Sequence, residues 1–273
     1  MAGDFRSPLR SDANAGRVAL VSGGSTGLGR ATALELARSG ASVVLVGRRV
    51  ELLERTRTEI EALGAAALVA PADVRRPEDV ERVVDAAIER FGHVDVLVNN
   101  AGGQFTAPAE EISDKGWRAV HRLGVDAVWS MTRTVATRSM IPRRDGLVVF
   151  IGFSPRRGIP GYAHATAARA ATGTLANGLA LEWSRYGIRS VSVLPGMIDT
   201  EGLAGYGADT VAAWQRTIPL GRLGRPEEVG SLIAFLASPG GAYVTATSIL
   251  VDGGVDAWGQ GEPPPPPVGE AGP

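Results

Sequence analysis

Short apolar runs recur along this chain, separated by longer stretches whose apolar residues follow a helical spacing. The runs are Val18–Ser22, Ser42–Val46, Ala67–Ala70, Val94–Val98, Leu147–Ile151, Ser190–Leu194 and Ser248–Val251. In most of them consecutive positions are apolar rather than alternating, which is the signature of strands buried on both faces, as in parallel sheets. Pro77 opens one helical stretch, in which Val80, Val83, Val84, Ala87, Ile88 and Phe91 fall on one stripe. Pro226 opens another, with Val229, Leu232, Ile233 and Leu236 on its apolar side. Alternation of this kind predicts a single α/β domain: a doubly wound parallel sheet of about seven strands with helices on both faces. Ligands of such sheets bind at the carboxyl ends of the strands. The domain is expected over 16–258, with a flexible polar arm over 1–15. A disordered tail is expected over 259–273, because its proline run, 263–267, can supply no amide to a helix or sheet.

Composition narrows the function. A net charge of −1 gives no electrostatic reason to expect nucleic acid or an anionic membrane. No apolar run is long enough for a bilayer span, and the first residues do not read as a signal peptide. The chain has no cysteine, which excludes disulfides and thiolate chemistry and is compatible with a cytoplasmic setting. His93, His121 and His164 are scattered, so no metal site is expected.

The first strand runs into Ser22-Gly23-Gly24-Ser25-Thr26-Gly27-Leu28-Gly29, and a helix rich in alanine and leucine follows. Glycines at such a turn let the backbone approach a pyrophosphate, and the helix N-terminus supplies amide donors with a partial positive charge. Strand, glycine turn and helix together predict a Rossmann-type dinucleotide site. An NAD-type site would place a carboxylate after the second strand for the ribose hydroxyls. Here that position reads Gly47-Arg48-Arg49, and guanidinium groups suit a 2′-phosphate. NADP(H) is therefore the expected cofactor.

These motifs, with Ala72-Asp73-Val74, Asn99-Asn100-Ala101-Gly102, Pro195-Gly196 and Val251-Asp252-Gly253-Gly254, resemble those of the short-chain dehydrogenase/reductase family from about Arg17 to Trp258. The resemblance implies that Asp73 and Val74 border the adenine, that Asn100, Ala101 and Gly102 steady the sheet and cofactor, and that Pro195, Gly196, Ile198 and Thr200 face the nicotinamide. It also implies a homotetramer, with a dimer as the alternative, and a small-molecule substrate. The stretches 102–105, 108–110, 113–117, 164–169 and 195–203 are similar to the peroxisomal trans-2-enoyl-CoA and 2,4-dienoyl-CoA reductases within that family.

The family's usual Ser, Tyr, Lys and Asn positions fall on Gly152, Ala165, Arg169 and near Gly124. Three of these have no side chain that can exchange a proton, and Arg169 stays charged, suited to holding ribose hydroxyls. Two readings follow. Hydride transfer to a conjugated enoyl thioester or a carbonyl persists with another donor, for which Tyr162, His164 and Ser154 are candidates. Alternatively, the chain is a redox-neutral biosynthetic catalyst, such as a cyclase or dehydratase, or a non-catalytic NADP-binding protein. Trp214 and Tyr206, beyond Thr200, are expected near an apolar substrate pocket.

Overall fold

A computed structural model describes residues 5–259 of the chain. Seven strands form one sheet: β1 (Val18–Ser22), β2 (Ser42–Gly47), β3 (Ala67–Pro71), β4 (Val96–Asn99), β5 (Gly146–Ile151), β6 (Ile188–Pro195) and β7 (Thr247–Val251). Their order is β3-β2-β1-β4-β5-β6-β7, and every pairing is parallel. The helices are α1 (Gly27–Arg38), α2 (Val50–Ala62), α3 (Pro77–Phe91), α4 (Asp114–His121), α5 (Ala127–Val135), α6 (Ile141–Arg143), α7 (Ala163–Trp183), α8 (Ala208–Arg216), α9 (Pro226–Ala237) and α10 (Val255–Trp258).

The period-two geometry of the strands divides the core into two layers. Ala19 and Val21 of β1, Val43 and Leu45 of β2, and Leu147 and Val149 of β5 pack with α1, α2 and α9. Val18, Leu20, Val44, Val46, Val148 and Phe150 point the other way, onto α3, α5 and α7. Both faces are therefore covered, as the unbroken apolar runs predicted. The strand order reverses between β1 and β4, so the loops after these two strands splay apart into the crevice where ligands of doubly wound sheets lie.

One strand boundary changes in detail. Val94 precedes β4 rather than joining it. The helical region from Trp117 to Arg138 is interrupted by π-helical turns at Arg122–Asp126 and Ala136–Met140. Of the polar arm, 1–4 lies outside the described residues; within the rest Asn14 is buried. Its amide donates to Ser39 Oγ (2.8 Å) and to the Ala234 carbonyl (2.9 Å), tying the chain entry to α1 and α9. Of the proline-rich tail, 260–273 lies outside the described residues. No helix among the described residues is long and apolar enough to cross a membrane.

Candidate functional site

A cavity of about 1040 Å³ opens at the carboxyl ends of the strands, over the β1/β4 crevice. Its floor is the glycine turn. Gly23, Ser25, Thr26, Gly27 and Leu28 line it, and Gly27 adopts φ +52, which lets the turn enter α1 without steric cost. Gly29 lies beneath: a Cβ there would fall inside the contact distance of the Gly23 carbonyl oxygen, so any larger residue would push the turn apart. Ser22 also sits behind the wall. Its hydroxyl donates to the Val98 carbonyl and accepts the amides of Asn100 and Ala101 (both 3.0 Å). Asn100 returns its side-chain amide to the Ser22 carbonyl at 2.9 Å. Ser22 and Gly29 thus shape the cradle, while Asn100, Ala101 and Gly102 form its opposite wall.

One end of the cavity is cationic. Arg48, Arg49, Asp73, Val74 and Arg75 line it. Arg49 donates to Thr26 Oγ1 at 3.1 Å. Arg75 grips Asp73, with its Nε 2.8 Å from Oδ1, and this hydrogen-bonded guanidinium holds the Asp73 carboxyl down at about 2. Asp73 is therefore a paired charge, which leaves the guanidinium groups of Arg48 and Arg49 to set the sign of this end. Arg75, two residues beyond Asp73, is a site residue that the motif reading did not single out; the short acid–base spacing was its only signal.

The other end holds the expected reactive groups. Tyr162 is the N-cap of α7, not yet in the helix, and its phenolic oxygen accepts from Thr106 Oγ1 at 2.7 Å. Both residues line the cavity. Thr106, 56 positions earlier, carried no sequence signal. Arg169, one and a half turns into α7, also lines the cavity and donates to the Ile151 carbonyl. Burial pushes its guanidinium below the ordinary arginine range, and no carboxylate pairs with it among the described residues. Ser154 reaches the cavity, but its hydroxyl donates to Asp252 Oδ2 at 2.5 Å, which turns its proton away towards the loop after β7. His164 does not line the cavity. Its ring is fully buried, with its centroid 4.3 Å from that of Phe105, and burial first, then His121, holds its pKa below 6.5. His164 packs behind the cavity wall, against Phe105.

Pro195, Gly196, Ile198 and Thr200 complete the wall beyond β6, and Leu203 and Trp214 close it on the outer side. The Tyr206 side chain lies outside the described residues. Gly152, at the end of β5, lines the cavity, but the space beside it is filled: a Cβ there would collide with Leu194 Cδ2. Ala165 is buried with Val120 and Ala168, and Gly124 lies on the π-helical turn, with space for a Cβ only 3.3 Å from that of Ala168.

A parallel seven-stranded sheet, a glycine cradle at a helix N-terminus and a long cavity across the switch point define a dinucleotide-binding oxidoreductase fold. The chain matches the family described as "Enoyl-(Acyl carrier protein) reductase" over residues 23–256. It is 34% identical over 243 residues to a probable 2,4-dienoyl-CoA reductase of Bacillus subtilis (strain 168), covering 87% of this chain and 96% of the relative. It is 40% identical over 247 residues to a gluconate 5-dehydrogenase of Gluconobacter oxydans (strain 621H), covering 88% and 94%. Among solved structures, a putative NAD(P)-dependent gluconate 5-dehydrogenase from Beutenbergia cavernae, with NADP bound at low occupancy, superposes with a TM-score of 0.84. That pair is 34% identical, covering 91% of this chain and all of the other. The chain belongs to the short-chain dehydrogenase/reductase family and is an oxidoreductase of that family.

Proposed function

We propose that this oxidoreductase uses NADP(H) and reduces a conjugated enoyl thioester, or failing that a simple carbonyl, with Tyr162 as proton donor. The observation that carries the reading is the placing of Tyr162 and Arg169 on one cavity whose far end presents Arg48 and Arg49.

The residues present fit the dinucleotide. A Cβ at Gly23 would collide with Asn100 Nδ2 at 2.7 Å, so the glycine keeps the turn closed on the β4 loop and its backbone bare towards the cavity. The α1 N-terminus and Gly27 amide suit the pyrophosphate. Arg48 and Arg49 suit a 2′-phosphate, since no free carboxylate opposes them there. Arg169 would hold the nicotinamide ribose hydroxyls, a role a permanently charged donor can fill. When bound, the cofactor supplies a hydride.

What remains is proton chemistry, and here the chain departs from the family's usual set. Gly124, Gly152 and Ala165 offer no hydroxyl or amide. Reduction of a conjugated carbon places the developing charge on a distant thioester oxygen, where hydrogen bonds stabilise it and a proton can arrive later. A hydroxyl at the position of Ala165 is then dispensable. The relative named as a 2,4-dienoyl-CoA reductase supports this substrate class, and the relative named as a gluconate dehydrogenase supports the carbonyl alternative. Tyr162, oriented by Thr106, is the cavity's phenol on the substrate side.

The test is oxidation of NADPH against a dienoyl-CoA, an enoyl-CoA and a panel of ketones, followed at the nicotinamide absorbance. Turnover of a conjugated thioester is expected, with Tyr162→Phe lowering kcat by about 100-fold and leaving NADPH affinity intact. Tight NADPH binding with no turnover across the panel would favour the redox-neutral reading.

A further inference from the structure

Two carboxylates near the end of the described chain hold the loop that leads to Tyr162. Asp252, just past β7, accepts the Ser154 hydroxyl at Oδ2 (2.5 Å), and the same oxygen accepts the Asp256 amide at 2.9 Å. Asp256, in α10, accepts three donors from one residue of the loop: the Arg156 amide at 2.6 Å, its Nε at 3.0 Å and its Nη2 at 2.9 Å. Arg157 adds bonds to the carbonyls of Asp256 (2.7 Å) and Val255 (3.1 Å). Exposed ion pairs contribute little. This one differs because its acid is buried: the Asp256 side chain is 9% exposed against 58% for Arg156, and an amide and a forked guanidinium converge on it.

Asp256 lies outside the cavity lining, but the loop it holds supplies Ser154, Ile159, Pro160 and Tyr162 to that lining. Between Arg156 and Tyr162 the chain passes two glycines with left-handed backbone, Gly158 (φ +99) and Gly161 (φ +80). Its own turns close on long bonds, from the Gly158 amide to Pro155 at 3.3 Å and from the Tyr162 amide to Ile159 at 3.2 Å. A loop so lightly closed on itself takes its position from its ends. At the far end the Ala107 amide donates to the Gly161 carbonyl at 3.0 Å, beside the Thr106–Tyr162 bond. At the near end the anchor is Asp256 on Arg156.

We propose that Asp256 is a positioning residue for Tyr162. Its hold on Arg156 fixes where Ile159, Pro160 and the phenol stand over the cavity. Releasing it lets the loop shift about the two glycines, so the phenol is less often in line with a reacting atom. The glycine cradle, built on β1, α1 and the loop after β4, keeps its shape. The inference rests on the proton-donor reading of Tyr162 above.

The experiment measures kcat, KM and NADPH affinity for the full-length wild type, Asp256→Ala and Asp256→Asn, each with and without Tyr162→Phe, on whichever dienoyl-CoA, enoyl-CoA or ketone of the panel the wild type turns over. Asp256→Ala is expected to lower kcat about tenfold, the scale of a misplaced reacting group, with the NADPH Kd within about twofold of wild type. Asp256→Asn keeps an acceptor for the Arg156 amide; it is expected to lose about threefold and carries the test if the alanine variant does not fold. In the Tyr162→Phe background, Asp256→Ala should lower kcat by less than about twofold, because the two residues act through one group; a merely structural role would leave its loss unchanged there. Hydrogen–deuterium exchange over 154–162 should quicken in Asp256→Ala while that over 23–29 stays as in wild type. An unchanged kcat in both Asp256 variants, or the same loss in both backgrounds, would overturn the role of Asp256 alone. A wild type that turns over nothing in the panel, or a Tyr162→Phe variant as active as wild type, would overturn the reading beneath it.

Discussion

Asp73 and Arg75 show how a single pair sets the character of a binding surface. The carboxyl is held at about 2, against an ordinary 3.8, by the guanidinium two residues away. An acid with a depressed folded-state pKa contributes stability that is fully present above its unfolded value and is lost as pH falls through the folded one. The stability difference between wild type and Asp73→Asn in urea unfolding should therefore be constant above about pH 4 and shrink as pH falls from 3.8 towards about 2. A difference that does not change over that window would show that the pair contributes nothing through ionisation. At the same scale, the motifs in the sequence pointed to Gly27, Arg48 and Asn100, which do line the cavity, because each is local to one turn or one strand end. The sequence did not separate Tyr162 from His164. These residues are two apart, and which one meets the cavity depends on where α7 begins. The structure starts α7 at Ala163, which leaves Tyr162 in the loop over the cavity and turns His164 inward against Phe105.

At the scale of elements, the packing of β6 on β5 accounts for the glycine at 152. Leu194, near the end of β6, fills the room beside Gly152 at the end of β5. Gly152→Ser is expected to destabilise the fold by about 1–3 kcal/mol through overpacking, and Gly152→Ser/Leu194→Val to recover at least half of that loss. Urea denaturation of the two variants measures both effects. A serine tolerated without loss would mean that Leu194 relaxes freely and that the glycine has no packing cause. The apolar runs predicted the strands nearly to the residue, because burial on both faces leaves no other pattern. The helical stretch from Trp117 to Arg138 was less legible: its π-helical turns at 122–126 and 136–140 follow from packing, including that of Gly124 against Ala168, and not from propensity.

For the whole molecule, the switch point between β1 and β4 gathers three features into one crevice: the glycine cradle, a cationic end at Arg48 and Arg49, and a far end with Tyr162, Thr106 and Arg169. The fold was readable from strand–helix alternation, and the glycine cradle with its cationic neighbours from motifs in sequence order. At the far end Tyr162, Arg169 and Trp214 were named in advance; Thr106 comes from a separate segment that only the tertiary structure brings to the same cavity. The most direct test of the account is the pair of dissociation constants for NADPH and NADH, measured on wild type and on Arg48→Ala/Arg49→Ala. The account predicts that NADPH binds wild type at least about tenfold more tightly than NADH, as a charge-assisted contact to a 2′-phosphate would give, and that the double variant loses this preference while keeping its affinity for NADH. Equal affinity for the two dinucleotides, or a preference for NADH, would contradict it.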